Sequence, residues 1–437
     1  MAKTAVVLAG GGSRGAYQIG VWRAMKELGI SWDIVTGASV GALNGALMVQ
    51  GDYDVAQSLW ENITSKEVMR DVLDEEKLPS LDDRTVWRTF IKDALRQGGA
   101  DISPLEDMIR RLVDEEKLRA SPVDFALITV EYPSMKPLEL RKGDIPKGMV
   151  AEYLLASAAC FPAFKIKEIG DAQYIDGGYY DNLPINLAID MGAEVVIAVD
   201  LHSVGLTRRV KAGAYQITTI QPRWPLGPFI LFEKGTAQRN MALGYLDAMK
   251  AFGRLAGWLY AFPAQSCESN TRRLYPAAAE LAAKASSHEP GLCAALEKLL
   301  RRRLYRDFRS KNQQKEPFTI GKAITMAAEY CGAALEVEPT EQYRFEDFNA
   351  LLTNAFAQVE PLDIEGAVGV KKLSKAAGEL SKVDTPKVIR LIYQRLKAII
   401  TGEEQPLDLL LLLPVFWKEI LAAMYLLTLE SLLPQQE

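Results

Sequence analysis

Apolar residues follow two different periods along this chain, and the change between them divides it. Ala5 to Ala9 is an unbroken apolar run, the pattern of a strand buried on both faces. After it, Ile19, Trp22, Met25 and Leu28 recur every three residues with Ala16 on the same side. That spacing predicts a helix over 15–28, ended by Gly29. A strand over 33–39 completes a β-α-β opening, and such units build parallel sheets through right-handed crossovers. Further strands are expected at 124–131, 137–141, 173–175 and 195–200, the last ("VVIAVD") again a continuous buried run. Residues 54–118 read as mostly helical and polar, an insertion or cap over one edge of the sheet. From about 254 onward the strands stop. Helical patterns such as "AAAELAAKA", "LCAALEKLLRRRL" and "PKVIRLIYQRLKAII" replace them. The expected organisation is an α/β domain over 1–253, carrying 54–118 as its helical cap, and an α-helical domain over 254–437.

Composition narrows the function classes. A chain of 437 residues is too long for one ordinary domain. Its net charge of −5 argues against a generic nucleic-acid binder, so any basic surface must be local. The one conspicuous basic run, 298–315, sets eight cations against one aspartate. It suits a solvated helix face, or attraction to anionic headgroups at a membrane surface. Four scattered cysteines without a C-x-x-C pair read as buried thiols in a reducing compartment. Two histidines, His202 and His288, are too few for a multi-histidine metal centre. The start shows no secretory signal. The most apolar window, "LLLLLPVFWKEILAAMYLLTLESLLP", is broken by Pro414, Lys418 and Glu419. It falls short of the roughly 18 apolar residues of a spanning helix. The expected location is cytoplasmic, with membrane contact at most peripheral.

Two glycine clusters carry the chemistry. In "AGGGSRGAYQIG", Gly10, Gly12 and Gly15 spell G-x-G-x-x-G. A dinucleotide site would need an acid closing the second strand, about 20 residues on, to hold the ribose. Here Asp33 stands at the beginning of that strand, and Gly37 and Ser39 occupy its end. Gly37-Ala38-Ser39-Val40-Gly41 is G-x-S-x-G between a strand and a helix, the pattern of a nucleophile elbow. Adjacent parallel strands put both clusters at one edge of the sheet, so the N–H groups of Gly11 and Gly12 can face the oxyanion formed when Ser39 attacks an ester. Such donors are worth about 3 kcal/mol each in the transition state. Arg14 adds positive charge or braces the loop. The base is expected in "YIDGGYYDNLP", where Asp176 ends a strand before two glycines. It needs a pKa above the ordinary ~3.9, which partial burial provides. His202 is the rival base, because Ser39, Asp176 and His202 follow the chain order of α/β-hydrolase triads. Asp181 and Asn182 are expected to organise the loop after Asp176, and His288 to lie in a loop.

The blocks "GGGSRGAYQIG", "GASVGALNG", "ASAACFPAF" and "YIDGGYYDNLPINLAIDMGAEVVIAVDL" together resemble the patatin-like phospholipases. The later "IQPRWPLGPFILFEKGTAQRNMALGYLDA" is similar to the end of bacterial members, so the resemblance covers roughly 4–253. It implies a three-layer α/β/α hydrolase of patatin type with a mainly parallel central sheet. It also implies a Ser–Asp dyad without histidine, a glycine-loop oxyanion hole, and neither metal nor cofactor. Carried over by residue, Ser39 is the nucleophile, Asp176 the base, and Gly10, Gly11, Gly12 and Arg14 form the oxyanion loop. The implied substrate is a phospholipid or other lipid ester, cleaved by phospholipase A or lysophospholipase chemistry. Spacing alone indicates only a serine acyl hydrolase. An acyltransferase using the same residues, a Ser39–Asp176–His202 triad esterase and a non-enzymatic nucleotide-binding module remain as alternatives.

Overall fold

The computed structural model describes residues 2–70, 99–311, 317–361, 383–403 and 409–433. The stretch 71–98 of the expected cap lies outside the described residues. The chain forms two units, Met1–Gly253 and Arg254–Glu437.

In the first unit the opening apolar run becomes β1 (Lys3–Leu8), fully enclosed from Ala5 onward. It is the centre of a mixed sheet with β2 (Ile34–Ala38), β3 (Asp124–Tyr132), β4 (Lys136–Arg141), β5 (Lys167–Ile169), β6 (Ala172–Asp176), β7 (Ala193–Val199) and β8 (Gln216–Ile220). The order is β5-β6-β3-β2-β1-β7-β8, with β4 paired to β3. The pairs from β3 through β2, β1 and β7 to β8 are parallel, while β4, β5 and β6 join antiparallel. Two strands were not expected: β5 has only three residues, and β8 ("QITTI") is half-buried and carries no apolar run.

Helices cover both faces. They are α1 (Ala16–Glu27), α2 (Val40–Gln50), α3 (Tyr53–Asn62), α4 (Ser65–Val68), α5 (Ser103–Leu112), α6 (Glu115–Ala120), α7 (Val150–Ser157), α8 (Ile185–Asp190) and α9 (Lys234–Ala251). Successive strand residues point to opposite faces. Val35 and Phe125 accordingly meet α2 at Gly45, whereas Ala126 and Ile128 pack with Leu187 of α8. The result is a three-layer α/β/α fold.

The register around β3 fixes where the site lies. Ala38, the last residue of β2, pairs with Ile128, and Asp176, the last residue of β6, pairs with Thr129. Over Ala126–Glu131 the other edge of β3 is taken by β4. A strand has only two edges, so β2 and β6 share one edge of β3 and run toward each other. Their carboxyl ends meet head to head, which brings the residue after Ala38 beside Asp176.

The second unit is helical: α10 (Ala264–His288), α11 (Pro290–Lys311), α12 (Ile320–Ala334), α13 (Phe345–Ala357), α14 (Thr385–Thr401) and α15 (Leu409–Ser431). His288 ends α10, not a loop. Buried Asn270, Asn349 and Tyr425 close a ring: Asn270 donates to Tyr425 (3.1 Å), Tyr425 to Asn349 (2.7 Å) and Asn349 to Asn270 (2.9 Å). Three helices are thereby tied by fully satisfied polar groups, which fixes their relative register. In α11 the leucines 296, 300 and 304 are buried and Arg301, Arg302, Arg306 and Arg309 are exposed, so the described part of the basic run lies on the exposed face of the helix. In α15, Ile420 to Ala423 are buried while Lys418 is exposed. Among the described residues no helix is long and apolar enough to cross a membrane.

The tightest helix crossing of the first unit gives a test. A Cβ placed on Gly20 of α1 would collide with the Met241 carbonyl of α9, and one on Gly244 with the Tyr17 carbonyl. Backbone cannot yield as a side chain does, so Gly20→Val is expected to destabilise the first unit by about 3 kcal/mol. Urea unfolding of the full chain measures it, and Gly143→Ala, where nothing lies within reach and φ is not positive, serves as the comparison for glycine loss alone.

Candidate active site

Ser39 makes the whole turn from β2 into α2 by itself. Its backbone stands at φ 53°, ψ −130°, a conformation L-residues avoid. Strain of this kind costs of order 1–3 kcal/mol and persists only where neighbours enforce it. Three do so here. The Ser39 N–H donates to Ser157 Oγ at 3.0 Å, and that hydroxyl donates to the Ile128 carbonyl at 2.7 Å. Side chains at Gly37 and Gly41 would collide with the backbone of Gly41 and of Leu8, so the two motif glycines are what lets α2 start against the sheet.

Asp176 approaches from β6. Its N–H is held by the Ala159 carbonyl at 2.9 Å, and its Oδ1 accepts the Gly178 N–H at 2.7 Å. The Ser39 hydroxyl acts on the same carboxylate and favours its ionised form. The side chain is buried, with 6% of the residue accessible. Burial pushes its pKa up to about 6, and the Ser39 hydroxyl and the Gly178 N–H oppose that rise. An ordinary aspartate would be too weak a base for a hydroxyl. This one is stronger.

The glycine loop lies on the other side of Ser39. Gly12 has φ 54° and no room for a Cβ beneath the Phe229 carbonyl; it opens the 3₁₀ turn Gly12–Gly15 that leads into α1. Among the described residues the N–H groups of Gly11 and Gly12 have no hydrogen-bond partner, and both glycines line the cavity above Ser39. Gly10 departs from the expectation for an oxyanion donor: its N–H is taken by the Asn182 carbonyl at 3.1 Å. What Gly10 supplies is closeness, since a Cβ there would sit 3.0 Å from that of Ser39. Arg14 binds the carbonyls of Gly227 (2.8 Å) and His202 (3.1 Å), which makes it a brace of the loop.

His202 does not join the pair. Its ring is exposed and lies 3.2 Å from Gln221 Oε1 and 3.9 Å from Asp200. Asp181 and Asn182 organise the turn as expected. Asp181 accepts the N–H groups of Leu183 and Arg208, and Asn182 Nδ2 donates to the Gly10 carbonyl at 3.3 Å. Among the described residues no group of three His, Cys, Asp or Glu side chains is placed to hold a metal.

Beyond Ser39 an apolar cavity of about 170 Å³ runs between α2, α3 and α5, walled by Leu43, Leu47, Leu59, Ile63, Met108 and Ile109. A buried polar chain ties its wall to the glycine loop. Trp60 donates to Asn44 (3.0 Å), Asn44 to Gln18 (2.8 Å), and Gln18 to the Ala9 carbonyl (2.7 Å). Ser157 and Asn44 were not among the expected site residues. Both lie in the quoted blocks, but their contacts span 118 and 26 residues of chain and leave no local pattern.

Residues 6–189 match the family model of the patatin-like phospholipases and form a patatin-like phospholipase domain. Patatin-like phospholipase domain-containing protein ZK370.4 of Caenorhabditis elegans is 29% identical over 203 residues, covering 46% of this chain and 14% of the relative. Patatin-like phospholipase domain-containing protein 7 of Mus musculus is 29% identical over 204 residues, with the same two shares. Lysophospholipase nte1 of Aspergillus terreus is 30% identical over 207 residues, or 46% of this chain and 12% of the relative. The alignments thus span about one seventh of these relatives' length.

The burial of Asp176 predicts a pH-dependent stability effect. Its folded pKa, about 6, lies above the unfolded value of ~3.9, so the folded state binds the proton more tightly. The carboxylate therefore destabilises the fold fully above pH about 6, and the penalty fades as pH falls from there toward 4. Asp176→Asn should raise the unfolding free energy by about 2 kcal/mol at pH 8 and by much less at pH 4.5. Paired urea titrations at the two pH values measure the difference.

Proposed function

We propose that the patatin-like phospholipase domain of this chain hydrolyses lipid esters through Ser39 and Asp176, without a histidine. The observation that carries this reading is a buried carboxylate of raised pKa that the Ser39 hydroxyl acts on directly, at the floor of an apolar cavity. As Ser39 Oγ bonds to the acyl carbonyl carbon, its proton passes to Asp176. The carbonyl oxygen becomes an oxyanion and takes the free N–H groups of Gly11 and Gly12. Collapse of the tetrahedral intermediate breaks the ester C–O bond, and Asp176 returns the proton to the departing alkoxide. That leaves an acyl-enzyme and a free alcohol or lysophospholipid. Asp176 then takes a proton from water as the water attacks and passes it to Ser39 Oγ as the acyl–Oγ bond breaks, so a fatty acid leaves with the Ser39 hydroxyl and the Asp176 carboxylate restored.

The remaining residues of the loop serve this geometry. Gly10 lets the loop approach Ser39, and Arg14 holds it against the carbonyls of Gly227 and His202. The cavity walled by Leu43, Leu47, Leu59 and Met108 takes the acyl chain, which favours long-chain lipid esters over polar ones. The Aspergillus relative is a lysophospholipase by name, which supports the phospholipase A and lysophospholipase class for this site.

Labelling with a fluorophosphonate probe tests the assignment. Wild type and His202→Ala are expected to label on Ser39, Ser39→Ala not at all. Asp176→Asn should label at least about 100-fold more slowly, as for loss of a general base. Because Asp176 must be ionised to accept the proton, kcat should rise about tenfold per pH unit below pH about 6 and level off above it. Loss of labelling in a folded His202→Ala variant would replace the dyad by a triad.

A further inference from the structure

The two most exposed large apolar side chains among the described residues stand on one loop. Val204 is 78% accessible and Leu206 63%. Single apolar residues on a surface are ordinary. This loop, however, rims the mouth of the cavity above Ser39: Ser203, Val204 and Gly205 line the opening together with Tyr179, itself 38% accessible. The loop is also anchored. Leu206 donates its N–H to the Gly178 carbonyl at 2.9 Å, and its own carbonyl accepts the Asn182 N–H at 2.6 Å. Gly205 packs so closely on Asn182 that a Cβ would approach to 2.7 Å. The backbone is thus satisfied by the turn that follows Asp176, and the apolar side chains are presented outward. Arg208 and Arg209 follow directly and are exposed; the Arg208 guanidinium lies 4.6 Å from the centre of the Tyr180 ring.

An apolar tip followed by guanidinium groups matches a lipid surface in two layers. Apolar side chains enter the acyl boundary while arginines stay level with the phosphates. A protein partner is a poorer match, because two side chains offer far less than the ~800 Å² that each side of a stable protein interface buries. We infer that the loop 203–209 docks the enzyme on a phospholipid surface, with Val204 and Leu206 inserted below the headgroups and Arg208 and Arg209 at the phosphates. This rests on the lipid-ester reading and deepens it. The mouth then opens onto the membrane, and a single lipid passes from the layer to Ser39 without crossing water.

Flotation of the full chain with phosphatidylcholine vesicles containing phosphatidylserine tests the surface, and it needs no catalysis. Leu206→Asp should lower vesicle binding about tenfold, and hydrolysis of vesicle lipid with it. Turnover of a water-soluble short-chain ester should stay within about twofold, which also shows that the variant folds. Leu206→Trp should bind at least as well as wild type, with a blue shift of its fluorescence on vesicles. Vesicle binding by Leu206→Asp equal to wild type would overturn the docking surface. So would a parallel loss of soluble-ester turnover, which would make the loop part of the catalytic site. If Ser39→Ala retains hydrolysis, the lipid-ester reading fails instead, and flotation still judges the loop by itself.

Discussion

One edge of one strand governs this site. β3 offers the same edge to β2 along its first half and to β6 along its second, and the two strands run toward each other. Where they meet, the chain must leave both. β2 leaves through the strained turn at Ser39, and β6 leaves through Gly177 and Gly178. A Cβ on Gly177 would collide with the Ile128 carbonyl of the same β3 edge. The closeness of Ser39 and Asp176 is thus a consequence of sheet register. The two residues are 137 apart in the chain but neighbours on a single strand edge.

That meeting concentrates unfavourable terms. A serine sits in left-handed backbone, a carboxylate is buried against its hydration, and two N–H groups of the glycine loop stay unpaired. Each would relax if the surroundings allowed it. Ser157 holds the Ser39 N–H, Asn182 holds Gly10 from both its carbonyl and its side chain, and Arg14 ties the loop to two distant carbonyls. In the proposed mechanism the scaffold thereby keeps donors and base oriented before any substrate arrives, the condition under which electrostatic stabilisation of an oxyanion is effective.

Much of this was legible in the residues because it depends on local sterics. A buried strand needs an apolar run, and Ala5 to Ala9 and Val195 to Val199 supply one each. A strand-to-helix turn against a sheet needs glycines, which marked Gly37, Ser39 and Gly41. Asp176 was legible through the two glycines after it. Short β5 and half-buried β8 carry too little pattern to be read. Ser157, Asn44 and the partner of Gly10 were hidden because their contacts are long-range. The loop position of Gly10 suggested a donor, and only the Asn182 carbonyl shows that its N–H is already used. Arg14 could be read as a charge or as a brace, and its two carbonyl partners favour the brace.

A carbon-13 NMR titration of the Asp176 side-chain carboxyl addresses the central interaction most directly. The account predicts a midpoint near pH 6 in the wild type. It predicts a higher midpoint in Ser39→Ala, because the hydroxyl bond that favours the ionised form is gone. A midpoint in the ordinary aspartate range, near ~4 in both proteins, would contradict it.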